Sequence, residues 1–495
     1  MKRVIIPITT IAAIALSASS FGVTNNAAST KILSAKVNQL SAETKELQHE
    51  VWLLKKNKNR HTAKKTKTES TAAKTDMPWD HFVTVTTTPF LGHATDYDGE
   101  DLLYNLSSNN EDLRLLKQKQ HIENEMKADG HSLDRPILQL SGAVEGEGFS
   151  QSGFATGSTV NSGVNLSTAE LQMNAIASSW ASAFMSFDFN GAPISSGNRA
   201  PNSSIYLGRG FATIGNLNRF PVYFTGGLMY VPFGRYANNM ISTPLTQSMG
   251  RIRTPAALLG FSLDNGLHGS IYGFSGTQTS GGQPIFKQWG LDGGYKYKFR
   301  QSDSLTVGAG LVSNIADSEG MQNTGLGTSA SQFGGFAVTN TGTGSTNNNA
   351  LTRSVYGVDG HGTLSVGPVS LIGEYLGASQ AFATTDMTFN NDGAKPQAMH
   401  AEADYLLPWF AKKYDTTLGV AYGHTWEALA LNLPQNSYST FLSTSIWRET
   451  TEEIEFRHDT DYSKTTTALG RGATANIVGT GRTRNSVLVQ VGVFF

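Results

Sequence analysis

Residues 485–495, Asn-Ser-Val-Leu-Val-Gln-Val-Gly-Val-Phe-Phe, constrain the fold more than any other stretch of this chain. Val487, Val489, Val491, Val493 and Phe495 recur at a period of two, so an extended backbone places all five on one face. An apolar face ending on an aromatic residue suits the closing strand of a transmembrane β-barrel. The valines would meet lipid and Phe495 would join the interfacial aromatic girdle. Any half-buried sheet can also contain such a strand, so the remaining sequence has to decide.

The opposite terminus points the same way. Met1-Lys2-Arg3 is basic, residues 4–16 are apolar and residues 17–22 are mostly small. This order reads as a secretory signal peptide over residues 1–20, cleaved near Ser20. Its apolar run is too short to span a bilayer as a helix, and no later run reaches the roughly 18 apolar residues a helical span needs. Composition agrees with a barrel: 52 Gly, 10% aromatic and only 16% charged residues suit aromatic girdles around a polar interior. The lack of cysteine removes disulfides, thiolate nucleophiles and sulfur-ligated metals. A formal net charge of −1 argues against a nucleic-acid partner.

Three segments precede the expected barrel. In residues 21–56, Leu33, Val37, Leu40, Thr44, Leu47, Val51 and Leu54 alternate spacings of four and three, which is a coiled-coil seam. About three heptads are marginal for an isolated helix. The seam is expected to bury itself in a homotrimer through Leu33, Val37, Leu40, Leu47, Val51 and Leu54, or else to lie against the barrel rim. Residues 57–77 are basic and lack apolar periodicity, as in a disordered linker. Residues 78–135 predict a small folded segment. A strand over 82–88 ends at Pro89. Ser108-Asn109-Asn110-Glu111 fits a capping box, and a helix runs from there to about Ala128, stopped by Gly130. Leu113, Leu116 and Ile122 share one side of it. Such a segment would serve as a partial plug or as a lid in the periplasm.

Residues 136–495 break into roughly sixteen strand-like runs, an even number as single-chain barrels require. Gaps after odd-numbered runs are long, as at 151–163, 191–202, 232–255, 316–351 and 379–396. Gaps after even-numbered runs are short, as at 177–179, 264–266, 300–303 and 367–368. External loops and periplasmic turns alternate in this way when both barrel termini are periplasmic. Within the runs, His400, Glu402 and Asp404 oppose Met399, Ala401, Ala403, Tyr405 and Leu407. Asp292, Lys296, Lys298 and Arg300 oppose Trp289, Leu291, Tyr295, Tyr297 and Phe299, while Glu455, Arg457, Asp459 and Asp461 oppose Ile454 and Phe456. A charge on the lipid face costs a few kcal/mol near the midplane, so the charged faces should turn inward to a hydrated lumen. The first run should close the barrel by pairing residues 136–148 with 487–495.

No GxGxxG, Walker A, HExxH or GxSxG motif is complete. Glu170, Asp188 and Glu374 could serve acid–base chemistry and His400-Glu402-Asp404 could suggest a metal, but a polar lumen supplies such side chains in any case. The expectation is therefore a non-enzymatic protein without cofactor or resident metal. Passage selects by charged rings and constrictions. The candidate lumen and ligand residues are Arg235, Arg251, Arg253, Lys296, Arg353 and Arg457, since guanidinium groups bind carboxylate and phosphate bidentately. A small anionic solute fits them, although ordinary lumen solvation would place them equally well. The surrounding partners would be outer-membrane lipid and lipopolysaccharide.

Several stretches add a family likeness. Besides the heptad helix, they are residues 83–92 (VTVTTTPFLG), 110–118 (NEDLRLLKQ), 214–219 (IGNLNR) and 230–236 (YVPFGRY), the last continuing through 239–246 (NMISTPLT) to Gly250-Arg251. In these, and in their order, the chain resembles the LbtU-type siderophore porin family of gamma-proteobacterial outer membranes. The resemblance implies a sixteen-stranded barrel with a periplasmic extension. It also implies uptake of a ferric siderophore of polycarboxylate type, without a TonB-type plug. A general or anion-preferring porin is the alternative, and a structural or adhesive envelope barrel a third.

Overall fold

The computed structural model describes residues 84–87, 109–128, 130, 133, 136–154, 160–190, 204–280, 283–300, 303–326, 333–337, 351–407, 416–447 and 449–495. The chain divides into units Met1–Phe82 and Val83–Phe495, and every described residue belongs to the second. The expected signal peptide, coiled-coil seam and basic linker lie outside the described residues.

In chain order the elements begin with β1 (Thr84–Thr87) and helix α1 (Glu111–Ala128). Next come β2 (Ile137–Gln151), β3 (Asn161–Ile176), β4 (Ala181–Asn190), β5 (Ser204–Gly215) and β6 (Val222–Tyr230). Helix α2 (Leu245–Gly250) leads to β7 (Arg253–Ser262), β8 (Leu267–Ser280), β9 (Gln283–Lys298) and β10 (Ser304–Val312). The short α3 (Glu319–Gln322) precedes β11 (Gly357–Val366), β12 (Val369–Ala378), β13 (Met387–Phe389) and β14 (Asp392–Gly393). Last come β15 (Gln397–Leu406), β16 (Thr416–Trp426), β17 (Asn436–Thr444), β18 (Thr450–Thr460), β19 (Thr467–Gly470), β20 (Ile477–Val478) and β21 (Thr483–Phe494).

Strands β2–β12, β15–β18 and β21 pair antiparallel with their neighbours in order, and β21 returns to β2, closing a sixteen-stranded barrel. Closure leaves no open edge, the one way a sheet can satisfy its backbone in lipid. No described helix is long and apolar enough to cross a membrane.

Alternation sorts the two faces as expected. Val487, Val489, Val491 and Val493 are 41–49% exposed, whereas Ser486 is 5% exposed. Ile454 and Phe456 face out while Glu455 and Asp459 are buried. Aromatic residues ring both ends of the exterior. The loop end carries the Trp289–Tyr356 and Tyr375–Trp426 pairs, with ring centroids 6.2 Å apart in each. The turn end carries Trp180, Phe220, Tyr405, Trp447 and the Tyr297–Phe299 pair at 5.0 Å. Connections at the loop end are mostly long, such as 231–252, 313–356, 379–396 and 461–482. The exception is between β8, which ends at Ser280, and β9, which begins at Gln283.

The closing register differs from the expectation. Strand β21 meets Ala143–Gln151 rather than residues 136–148, since barrel strands tilt and stagger by a fixed shear. The early residues Ile137–Leu140 instead pair in parallel with β1, so β1 continues the ladder where β21 leaves it.

Candidate functional site

The expected hydrated lumen is instead crossed and packed. Residues 231–252 leave the loop end of β6 and fold inward, carrying α2. Their apolar side chains Val231, Phe233, Tyr236, Leu245, Met249 and Ile252 are at most 3% exposed and belong to one large buried cluster. Carboxylates on the far wall hold the crossing segment. Glu374 of β12 accepts from the Arg235 and Tyr236 backbone N–H groups (2.5 and 3.0 Å) and from Thr246 Oγ1 (2.6 Å). Glu402 of β15 accepts from the Asn239 N–H at 2.7 Å, and Asp404 accepts from Asn239 Nδ2 at 3.0 Å. Glu455 of β18 accepts from the Ser242 N–H (2.7 Å) and Oγ (2.5 Å). Four wall carboxylates thus receive seven donors of the crossing segment, which makes a firm clasp.

Helix α1 fills the interior toward the turn end. It packs Leu113 and Leu116 into the same buried cluster. Asn109 Nδ2 donates to the carbonyls of Phe233 and Gly234 (3.0 and 2.8 Å), tying the helix start to the crossing loop. Farther along, Lys119 Nζ donates to the Gly215 carbonyl at 2.7 Å, and Asn218 Nδ2 donates to Glu123 at 3.2 Å. Ser108 of the predicted capping box lies outside the described residues. The helix begins at Glu111, with Asn110 in the left-handed region at φ 56°. Glu111 turns to the wall, where Arg209 of β5 pairs with it at 3.2 Å and with Glu170 of β3 more closely still. A guanidinium is a stronger partner than the backbone N–H a capping box would offer. Burial pushes the Glu111 carboxyl up to about 7, against the opposing pull of Arg209 and Arg114. Burial likewise raises Asp112 and lowers Lys119. Gly130, at φ 79°, ends the helix region as expected.

A third layer covers the loop end. Strands β13, β14, β19 and β20 form a small sheet there; beneath it Phe336 meets Phe333 edge-to-face at 5.1 Å and stacks on Phe382 at 5.9 Å. Ser318 Oγ donates to the Met249 carbonyl (2.6 Å) and the Glu319 N–H to the Arg251 carbonyl (2.8 Å), joining this cap to the crossing loop.

The candidate residues from the sequence fall into separate places. Arg251 and Arg253 come together around Glu319, their Nε atoms 2.9 and 3.7 Å from its carboxylate. Arg251 lies 4.4 Å over the Tyr230 ring and Arg253 lies 5.4 Å over Tyr206. Arg235 is half-buried in the crossing loop. Arg457 is paired to Asp459 at 2.8 Å, and Arg484 shares that carboxylate at 2.6 Å. Lys296 is half-buried on β9, near the turn end. Arg353 is not a wall residue: it precedes β11, is exposed, and donates to the Ala381 carbonyl at 2.8 Å. His400, Glu402 and Asp404 do share the inward face, with His400 Nε2 3.1 Å from Glu402, but Glu402 and Asp404 serve the crossing loop. Sequence reasoning missed the loop anchors Asn239 and Ser242, and Arg209. The available signal was the apolar content of residues 231–252, unusual for an external loop.

Comparison with known proteins places the chain. No protein-family profile matches it. A UPF0422 protein of Legionella pneumophila is 35% identical over 418 residues, spanning 83% of this chain and 76% of that one. A UPF0422 protein of Coxiella burnetii is 35% identical over 413 residues, spanning 82% and 83%. This chain belongs to the UPF0422 family. Solved structures similar to the UPF0422 chain include the outer membrane channel DcaP of Acinetobacter baumannii (TM-score 0.44, 12% identity, 74% of this chain and 99% of that one). An anion-selective porin from Comamonas acidovorans (0.45, 11%, 73% and 100%) and Salmonella typhi OmpF (0.47, 13%, 72% and 97%) are others. Its closed ladder, apolar exterior and paired girdles make the UPF0422 chain a porin-like outer-membrane barrel.

Proposed function

We propose that this UPF0422 protein is an outer-membrane channel with an internal gate, and that its cargo is a ferric siderophore of polycarboxylate type. The observation that carries the gate is the crossing segment 231–252, held over the lumen by Glu374, Glu402, Asp404 and Glu455. Three stacked layers lie across the interior: α1, the crossing loop and the cap. Passage then requires the middle layer to move, which distinguishes a selective route from an open pore. In this reading the turn end and the segment preceding the barrel face the periplasm, the long loops face outward, and catalysis plays no part. The cargo rests on the resemblance of residues 83–92, 110–118, 214–219 and 230–251 to siderophore porins.

Purified ferric siderophore should support growth of an iron-limited strain carrying the gene. Equal uptake by a deletion strain would reject the cargo. Planar-bilayer recordings should show low conductance that rises when the loop anchors are removed. A barrel that stays ion-tight in every variant would reject passage altogether and leave an adhesive or structural role, for which the small outer sheet offers a surface. A second reading is an anion-preferring porin. It is favoured by the Arg251–Arg253 pair, which keeps one positive charge in excess of Glu319, and chloride-over-potassium selectivity would support it. The seam Leu33, Val37, Leu40, Leu47, Val51 and Leu54 supports a homotrimer. Deleting residues 21–60 should lower the oligomer mass, and an unchanged mass would refute that assembly.

A further inference from the structure

A second cluster in the barrel interior has the chemistry of a cation site. Asp359 and His361 stand two apart on β11 and therefore share its inward face, while register sets His361 opposite Glu374 on β12. One ligand atom from each of the three lies within 4.8 Å of the others. The next strand leaves them room. Gly310 of β10 sits between Asp292 of β9 and Asp359, and Gly308 sits opposite His361. A side chain at Gly310 would collide with Asp359 Oδ1, and one at Gly308 with the His361 imidazole. Two glycines thus form a bare floor beneath two liganding groups.

The polar atoms around this floor are incompletely satisfied. Asp359 is 7% exposed, and its Oδ1 has no hydrogen-bond partner. The hydroxyls of Tyr236 and Tyr272, 1% and 2% exposed, also lack partners. Buried acceptors and donors left unpaired cost about 1–3 kcal/mol each, so the unpaired carboxylate oxygen calls for a donor or a cation. Oδ2 of the same carboxylate is hydrogen-bonded to His361 Nδ1 at 2.8 Å, so the two groups already converge on one point. The cluster also touches the crossing loop through Glu374, and beside it Asn110 at the start of α1 donates to Asp292 at 3.4 Å.

We propose that Asp359, His361 and Glu374 bind one divalent transition cation, which ties the barrel wall to the crossing loop. An imidazole with two carboxylates suits zinc-like ions better than calcium or magnesium, which prefer oxygen alone. Three protein ligands leave a position for water. On binding, the ion replaces the proton shared by His361 Nδ1 and Asp359, and that proton passes to solvent. The site stands whichever solute the channel carries, because it is read from binding and not from uptake.

Calorimetric titration of the full chain in detergent micelles tests it, with Zn2+, Mn2+ and Ca2+ as probes. Zn2+ should bind at one equivalent, release a proton seen as a buffer-dependent heat, and raise the Tm, while Ca2+ should not bind comparably. H361A and D359N should each weaken Zn2+ binding at least tenfold and abolish the Tm rise. H424A removes an imidazole on the outer face and should change neither. Retained heat-modifiable gel mobility confirms that each variant is folded, and D359N serves if H361A is not. Absent Zn2+ binding, equal Ca2+ binding, or equal losses in H424A and H361A would each overturn the site.

Discussion

Arg209 is the point at which helix and wall are joined by charge. Its guanidinium is 3% exposed and serves Glu111 of α1 and Glu170 of β3 together. Removing it leaves two buried carboxylates facing one another, a loss of about 3–5 kcal/mol by analogy with other broken buried pairs. Arg209→Met should therefore lower the unfolding midpoint more than Lys119→Met, whose ammonium serves only a carbonyl. Glu111 makes the same contact sensitive to pH. Its carboxyl holds a proton up to about 7 when docked, against 4.5 ordinarily. The docked state is favoured below that ordinary value, weakens as pH rises through the interval, and levels off above about 7. The total effect is at most about 3 kcal/mol. Limited proteolysis of α1 should quicken over this window in the native chain and stay flat in Glu111→Gln. At the crossing loop, Glu374→Gln replaces one of two acceptor oxygens by an amide NH2 facing three donors. Raised single-channel conductance with a lower midpoint is the expected outcome.

Among the elements, regular ones were readable and irregular ones were not. The barrel strands announced themselves because lipid outside and charge inside impose a period of two on Trp289–Phe299, Met399–Tyr405 and Ile454–Phe456. Helix α1 was readable from Leu113, Leu116 and Gly130. Its capping was not, since the partner of Glu111 is Arg209, distant in sequence and brought near only by closure of the sheet. The crossing loop was read as an external gap because no periodicity marks a loop that folds inward. Its arginines drew attention as ligands, while Asn239 and Ser242, which fasten it, carry no charge to notice. Leu116 is 1% exposed beneath the helix, and Leu116→Ala should cost about 2–5 kcal/mol in helix docking. Hydrogen exchange confined to residues 111–128 would register it, with the strands unchanged.

For the molecule as a whole, neighbouring positions on β21 should respond unequally to the same substitution. Val489 faces lipid at 46% exposure. Val489→Lys should hinder refolding into vesicles by about 2–4 kcal/mol if it lies near the midplane. Gln490 faces inward between Glu147 and Glu453. Gln490→Lys should leave refolding unharmed, since it meets carboxylates there. Equal effects of the two would contradict the assigned faces. This two-sidedness also explains why the barrel could be read from 485–495 together with the other alternating strands, whereas cargo could not: lipid imposes one chemistry on every barrel exterior, and solutes differ.

The parallel pairing of β1 with Ile137–Leu140 has a mechanical outcome. Residues 88–136, with α1 among them, are clamped to the same strand of the barrel at both ends. A helix that slips out of the lumen stays leashed to its own doorway, so its return is intramolecular, set by the local concentration the leash enforces and not by that of the protein. In the proposed gate, a stopper kept in this way would reset itself after each opening, without a partner to fetch it back.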